Sequence, residues 1–98
     1  MQFVVTALDY TDADALNRRM ANREQHLAGV RKLITEGNLL SGGAILDDAG
    51  KMIGSTMHME FPDRASLDAL LRQDPYVTGR VWEKVEVRQA RLVPLKQA

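Results

Sequence analysis

Two short stretches hold residue types able to do acid–base chemistry. "REQH" (23–26) sets a guanidinium, Arg23, and an imidazole, His26, one helical turn apart. "RQDPY" (72–76) sets an acid, Asp74, directly before a proline. Imidazole titrates near neutral pH, so it can take or give a proton. A carboxylate against it would fix its tautomer and stabilise its charged form. The chain has only two histidines, His26 and His58, to partner such an acid. Read locally, Asp74 is the N-cap of a turn that Pro75 begins. Read with His26, it is half of a proton-transfer pair. The two roles are compatible, because a carboxylate has two oxygens.

Both residues of "REQH" fall on a predicted helix spanning 13–36. Leu16, Met20, Leu27, Val30 and Ile34 recur at helical steps and predict its buried face. At about 100° per residue, Arg23 falls near the middle of that stripe and His26 between Val30 and Leu33. A buried arginine is costly unless paired. One reading makes Arg23 an anion clamp and His26 a general base or acid. The other makes them a structural ion pair and a hydrogen-bonded core histidine. Spacing leaves both open.

The remaining elements must position these groups. "QFVVTAL" (2–8) reads as a strand buried on both faces. Gly37-Asn38 reads as the C-cap of the long helix. "LLSGGAIL" (39–46) is a strand whose Ser41-Gly42-Gly43 allows close approach of backbone or ligand. "DDAG" (47–50) is a hairpin turn. In the next strand (51–61), Ile53, Ser55, Met57, Met59 and Phe61 share one face; Gly54, Thr56, His58 and Glu60 share the other. A short helix over 62–73 has Asp63 as its N-cap and Leu67, Leu70 and Leu71 as its stripe. A final strand (81–93) and a tail complete a single domain over 1–98. The order β-α-β-β-α-β predicts an α+β fold of the ferredoxin-like type: a four-stranded antiparallel sheet, strands one and three central, two helices on one face. The uncovered face would carry Thr56, His58 and apolar residues of strand one. Two such faces packed together predict a homodimer, a dimeric α+β barrel enclosing a partly polar cavity.

Composition narrows the chemistry. Of 98 residues, 13 are basic and 13 acidic, so no net charge draws the chain to nucleic acid or an anionic membrane. With no cysteine there are no disulfides, thiolate nucleophiles or Cys-based metal sites. "MQFVVTALDY" has neither a basic n-region nor a long apolar run, so the expected location is cytoplasmic. His26, His58, Asp74 and Glu60 lack metal-ligand spacing, so no metal is expected. Phosphate- and dinucleotide-binding glycine patterns are missing, and no cofactor is expected. Ser41 and Ser55 read as ligand hydrogen-bonders or simply as small residues rather than nucleophiles, and His58 as lining a cavity or meeting its dimer mate. The candidate ligand contacts are therefore Arg23, Ser41, Gly43, Ser55, His58 and, in the Asp-Pro-aromatic corner, Tyr76. Taken alone, Tyr76 and Trp82 read as core or interface residues.

"RxxHLAGVRKLITEGNLLSGGAI" resembles the histidine helix and Gly-rich strand of the YCII-related (YciI-like) family. "GSTMHMEFPDRASLDALLRQDPY…WEKVEVR" resembles that family's second half. The most specific parts are Arg23-x-x-His26-Leu27 and Asp74-Pro75-Tyr76. The resemblance implies a ferredoxin-like, dimeric α+β barrel fold, related to the muconolactone isomerase group. It also implies a histidine–aspartate pair, here His26 and Asp74. One branch of the family is a dehydrochlorinase acting on a chlorinated hydroxyhydroquinone without a cofactor. The expectation is a small cofactor-independent enzyme that moves a proton in elimination or isomerisation of a small anionic or phenolic metabolite. Asp74 would orient His26, and Arg23 would bind substrate charge or hold Asp74. The alternative is a non-catalytic ligand-binding or interaction domain in which the pair is structural.

Overall fold

Strand-forming residues with a two-residue burial period build the centre of the sheet. In the computed structural model, which describes residues 1–94, β1 (Gln2–Asp9) lies between β3 (Met52–Glu60) and β4 (Trp82–Ala90). β2 (Leu39–Leu46) forms the other edge beyond β3, and every pairing is antiparallel. Three helices complete the chain: α1 (Ala15–Thr35), α2 (Arg64–Gln73) and α3 (Pro75–Thr78). The order and the central pair agree with the expected ferredoxin-like arrangement. The final strand ends at Ala90, short of the expected 93, and Leu92 N then donates to Gln2 Oε1 at 2.8 Å. Of the expected tail, 95–98 lie outside the described residues. Among the described residues no helix is long and apolar enough to cross a membrane.

Phe3, Val5, Ala7 and Asp9 of β1 and Ser55, Met57 and Met59 of β3 are buried under the helices. The opposite face aligns Val4 with His58, Thr6 with Thr56, and Leu8 with Gly54. Leu8 is 44% exposed there. Burial of β1 on both faces, expected from its apolar run, therefore holds for one face of the single chain. A Cβ on Gly54 would collide with the Ala7 carbonyl, so this close crossing of β1 and β3 admits glycine alone.

α1 shows where apolar patterning misleads. Its inward stripe is Ala15, Arg19 and His26, with Asn22 and Leu33 half-buried. Met20 and Ile34 of the expected stripe are at least half exposed. Leu27, Val30 and Ile34 instead roof a cavity. Arg23, expected on the buried side, is exposed, and Arg19 one turn earlier takes the buried place. The inward stripe is polar, so hydrophobic spacing marked its neighbour.

The caps agree with the sequence. Gly37 (φ 81°) stops α1, and Asn38 N returns to Leu33 O at 2.8 Å. Asp63 Oδ1 accepts from Ser66 N at 2.7 Å. Leu67 and Leu71 of α2 pack with Phe3, Val5, Met57, Met59, Tyr76, Val81 and Trp82 into one core.

Inside that core sits an ion pair. Arg19 Nη1 donates to both oxygens of Asp9, at 2.8 and 3.0 Å, and both side chains are almost wholly buried. Burial pushes the Asp9 carboxyl upward, while the hydrogen bonds and charge of Arg19 pull it back. Removing one partner strands the other, at a typical cost of about 3–5 kcal/mol. Arg19→Met is thus expected to lower stability by about that much, and Asp9→Leu with Arg19→Met to recover most of it; urea denaturation of the three proteins checks this.

A second clamp lies at the surface. Arg18 donates to both oxygens of Asp12 and to Arg80 O, and holds the Asp12 carboxyl down at about 2, below its ordinary 3.8. A folded-state pKa below the unfolded one gives stability that is present above pH 4 and lost as pH falls towards 2. The stability gap between the wild type and Asp12→Asn should therefore close over that window, as read from urea midpoints at each pH.

Candidate active site

α2 ends at Gln73, and Pro75 holds Asp74 in extended geometry (φ −62°, ψ 133°). That geometry aims the Asp74 side chain back across the first turn of α3. Its Oδ1 accepts from Tyr76 N at 2.8 Å, with Pro75 at the first helical position. The same Oδ1 meets His26 Nδ1 at 2.9 Å. Cap and pair thus share a single oxygen, and Oδ2 has no hydrogen-bond partner among the described residues. An ionised carboxylate only accepts, so Nδ1 is the donor in this contact, and in the neutral imidazole the lone pair is then on Nε2.

His26 is also held by its faces. The Tyr76 ring stacks on it at 3.9 Å and 10°, and Trp82 meets it edge-on at 5.7 Å. The Arg19 guanidinium lies over the Tyr76 ring at 4.8 Å. Arg19 and His26 are two turns apart on α1, about 10 Å along its axis. The Tyr76 ring therefore sits between them. Ser55 Oγ accepts from Arg19 Nη2 at 2.9 Å and from Trp82 Nε1 at 3.2 Å.

A cavity of about 330 Å³ opens between α1 and the β2–β3 edge of the sheet. Arg19, Arg23, His26 and Tyr76 line it, together with apolar side chains from Leu27 to Met57. No acidic residue is among its lining, and Arg23 has no ion-pair partner among the described residues. The walls are therefore apolar and cationic, with one imidazole.

Other sequence candidates take varied places. Ser41 and Gly43 lie at the rim on β2. Ser55 lines the cavity, but both its lone pairs are spent on Arg19 and Trp82. His58 is on the opposite face of the sheet from His26, bonded through Nδ1 to Ser41 Oγ at 3.0 Å. It lines a separate shallow hollow with Thr56 and residues 41–43. Among the described residues no three His, Cys, Asp or Glu side chains converge as metal ligands would. The sequence reading missed Arg19 and Asp9. The signal was there, since Arg19 and His26 are two helical turns apart and so share a face.

Comparison with known proteins adds the lineage. The YCII-related domain matches residues 1–91. Protein YciI of Escherichia coli O6:H1 is 36% identical over 94 residues, covering 90% of this chain and 94% of that protein. An uncharacterized protein of Haemophilus influenzae is 34% identical over 94 residues with the same coverage. Among solved structures, 5-chloro-2-hydroxyhydroquinone dehydrochlorinase from Burkholderia phenoliruptrix AC1100, in complex with 2,5-dihydroxybenzoquinone, superposes with a TM-score of 0.80. It is 23% identical and the match covers 93% of this chain and 94% of that one. An antibiotic biosynthesis monooxygenase superposes with a TM-score of 0.54 at 20% identity, over 96% of this chain and all of the other. The structural likenesses carry the fold, a ferredoxin-like α+β protomer. The sequence matches carry the lineage: the chain belongs to the YCII-related family.

Proposed function

We propose that this protein is a small enzyme in which His26 moves a proton on a ring-sized anionic or phenolic substrate bound under α1. The observation that carries the reading is the 2.9 Å contact between His26 Nδ1 and Asp74, made by a histidine that also lines the cavity. With Nδ1 committed, Nε2 acts as the base, and Asp74 stabilises the imidazolium that forms. Arg23, an exposed residue of the cavity lining, meets substrate charge. Elimination or isomerisation fits this equipment, because each needs only proton transfer and stabilisation of developing charge. A cofactor has no part in that scheme. A same-fold protein is a dehydrochlorinase of a hydroxylated ring, which is chemistry of this kind. The cavity is at the small end of ligand sites, roughly 300–1,000 Å³, which favours a single ring.

The second reading is a ligand-binding domain whose His–Asp pair is structural. It draws on the tight stacking of His26 against Tyr76 and Trp82. A screen of hydroxylated aromatic acids and lactones by thermal shift, followed by turnover assays on the hits, separates the two. His26→Gln should bind a hit yet lose turnover by roughly 10²-fold or more. Turnover that survives this change would sink His26 as the base. Asp74→Asn should shift the ¹⁵N resonances of His26 towards the Nε2–H tautomer and lower turnover, whereas an unchanged tautomer would remove Asp74 from the mechanism.

The uncovered sheet face supports self-association. Val4, Leu8 and Ile45 lie on it beside Thr6, Thr56 and His58, and among the described residues no helix covers them. A second copy packed face to face would bury the second side of β1. The protein is expected to run as a dimer of 11.0 kDa chains in light scattering, and Thr6→Arg, at the centre of that face, to run as a monomer. A monomeric wild type would exclude this assembly.

A further inference from the structure

Tyr76 has a role that packing leaves over. Its side chain is 1% exposed, among the most deeply buried in the protein. Its ring is accounted for by the stack between Arg19 and His26. Its hydroxyl is not: no hydrogen bond to it forms among the described residues. A buried phenol normally finds a partner. Arg19 Nε is the one fully occluded side-chain nitrogen or oxygen without a partner among the described residues, so the Tyr76 hydroxyl keeps contact with open space. The space that Tyr76 lines is the cavity under α1.

We propose that the Tyr76 O–H is the hydrogen-bond donor that receives negative charge on a substrate oxygen while His26 Nε2 takes the proton. The inference rests on the proton-transfer reading of His26 and names the group that completes it. In the step, a C–H or O–H bond of the substrate breaks and its proton passes to Nε2. The electron pair left behind collects on an oxygen of the ring, as a phenolate or enolate. Tyr76 donates to that oxygen without giving up its own proton. Burial raises the phenol above its ordinary 10.0 against the pull of Arg19 and Arg23, so at neutral pH it remains a donor. The two guanidiniums supply the surrounding positive field, and that of Arg19 is fixed by Asp9 and Ser55 before any substrate arrives. The ligand class follows: a planar ring carrying an ionisable oxygen, with its negative form preferred over the neutral one.

The probe is 4-nitrophenol, whose absorbance reports its ionisation, titrated at pH 8 into the full-length protein. 4-Nitrotoluene, with the same ring and no ionisable oxygen, is the control. The wild type should bind the phenolate in preference to the control. Tyr76→Phe keeps the ring and its stack, and should weaken phenolate binding about ten- to a hundredfold while leaving 4-nitrotoluene unchanged. Equal weakening of both probes would reduce Tyr76 to a wall, and no weakening, or no phenolate binding by the wild type, would equally overturn the proposal. Unshifted ¹⁵N resonances of His26 in Tyr76→Phe would show that a selective loss comes from the hydroxyl and not from a displaced base. Selective loss in Tyr76→Phe together with full turnover in His26→Gln would retire the base and keep the oxyanion site.

Discussion

The candidate site depends on one aromatic ring inserted between two side chains of one helix. Tyr76 separates Arg19 from His26, and in doing so docks α3 onto α1. Asp74 lies two positions earlier in the chain and caps the turn that carries Tyr76. Once the ring is seated, the carboxylate has little choice but to arrive beside the imidazole. Packing free energy from one large buried ring is thereby converted into the placement of a carboxylate against an imidazole. Gly79 serves the same docking, since a Cβ there would strike the Asn22 side chain of α1.

The polar interior follows from that insertion. A guanidinium beneath a stacked ring cannot remain solvated, so Asp9 and Ser55 take over from water. Trp82 spends its indole N–H on the same Ser55 oxygen. Such a network is seldom the most stable way to fill a core; apolar residues of the same volume commonly do as well or better. Its Arg19 Nε is even left without a partner among the described residues. What the network secures is orientation: a fixed positive charge behind a phenol, and a fixed imidazole in front of it.

The sequence disclosed topology well and side-chain convergence poorly, for separate physical reasons. Strand alternation, the Gly37 stop and the Asp63 and Asp74 caps are local, and each could be read within a few residues. The buried face of α1 could not, because hydrophobic spacing assumes that the inward stripe is greasy. Here Arg19, Asn22 and His26 point inward, while Leu27, Val30 and Ile34 line an open cavity. That inversion led to Arg23 being placed inside in place of Arg19. The meeting of His26 with Asp74 spans 48 residues and no local rule encodes it; the family resemblance supplied it as an expectation. His58 was assigned correctly to the strand face that the helices leave uncovered, and the structure adds that it lines a hollow separate from the cavity of His26.

The single oxygen of Asp74 that serves both cap and imidazole ties chemistry to local folding. α3 is four residues long, far below the length at which a helix holds itself together. Its persistence rests on the cap and on the seated ring. When that turn frays, His26 loses its partner and the cavity loses a wall in one event. The readiness of the site is therefore a conformational population, set by the opening free energy of one turn of helix. Under the proposed function, warming should diminish the competent fraction before the sheet melts, so that the optimum temperature of turnover would report on α3 and not on the stability of the whole protein.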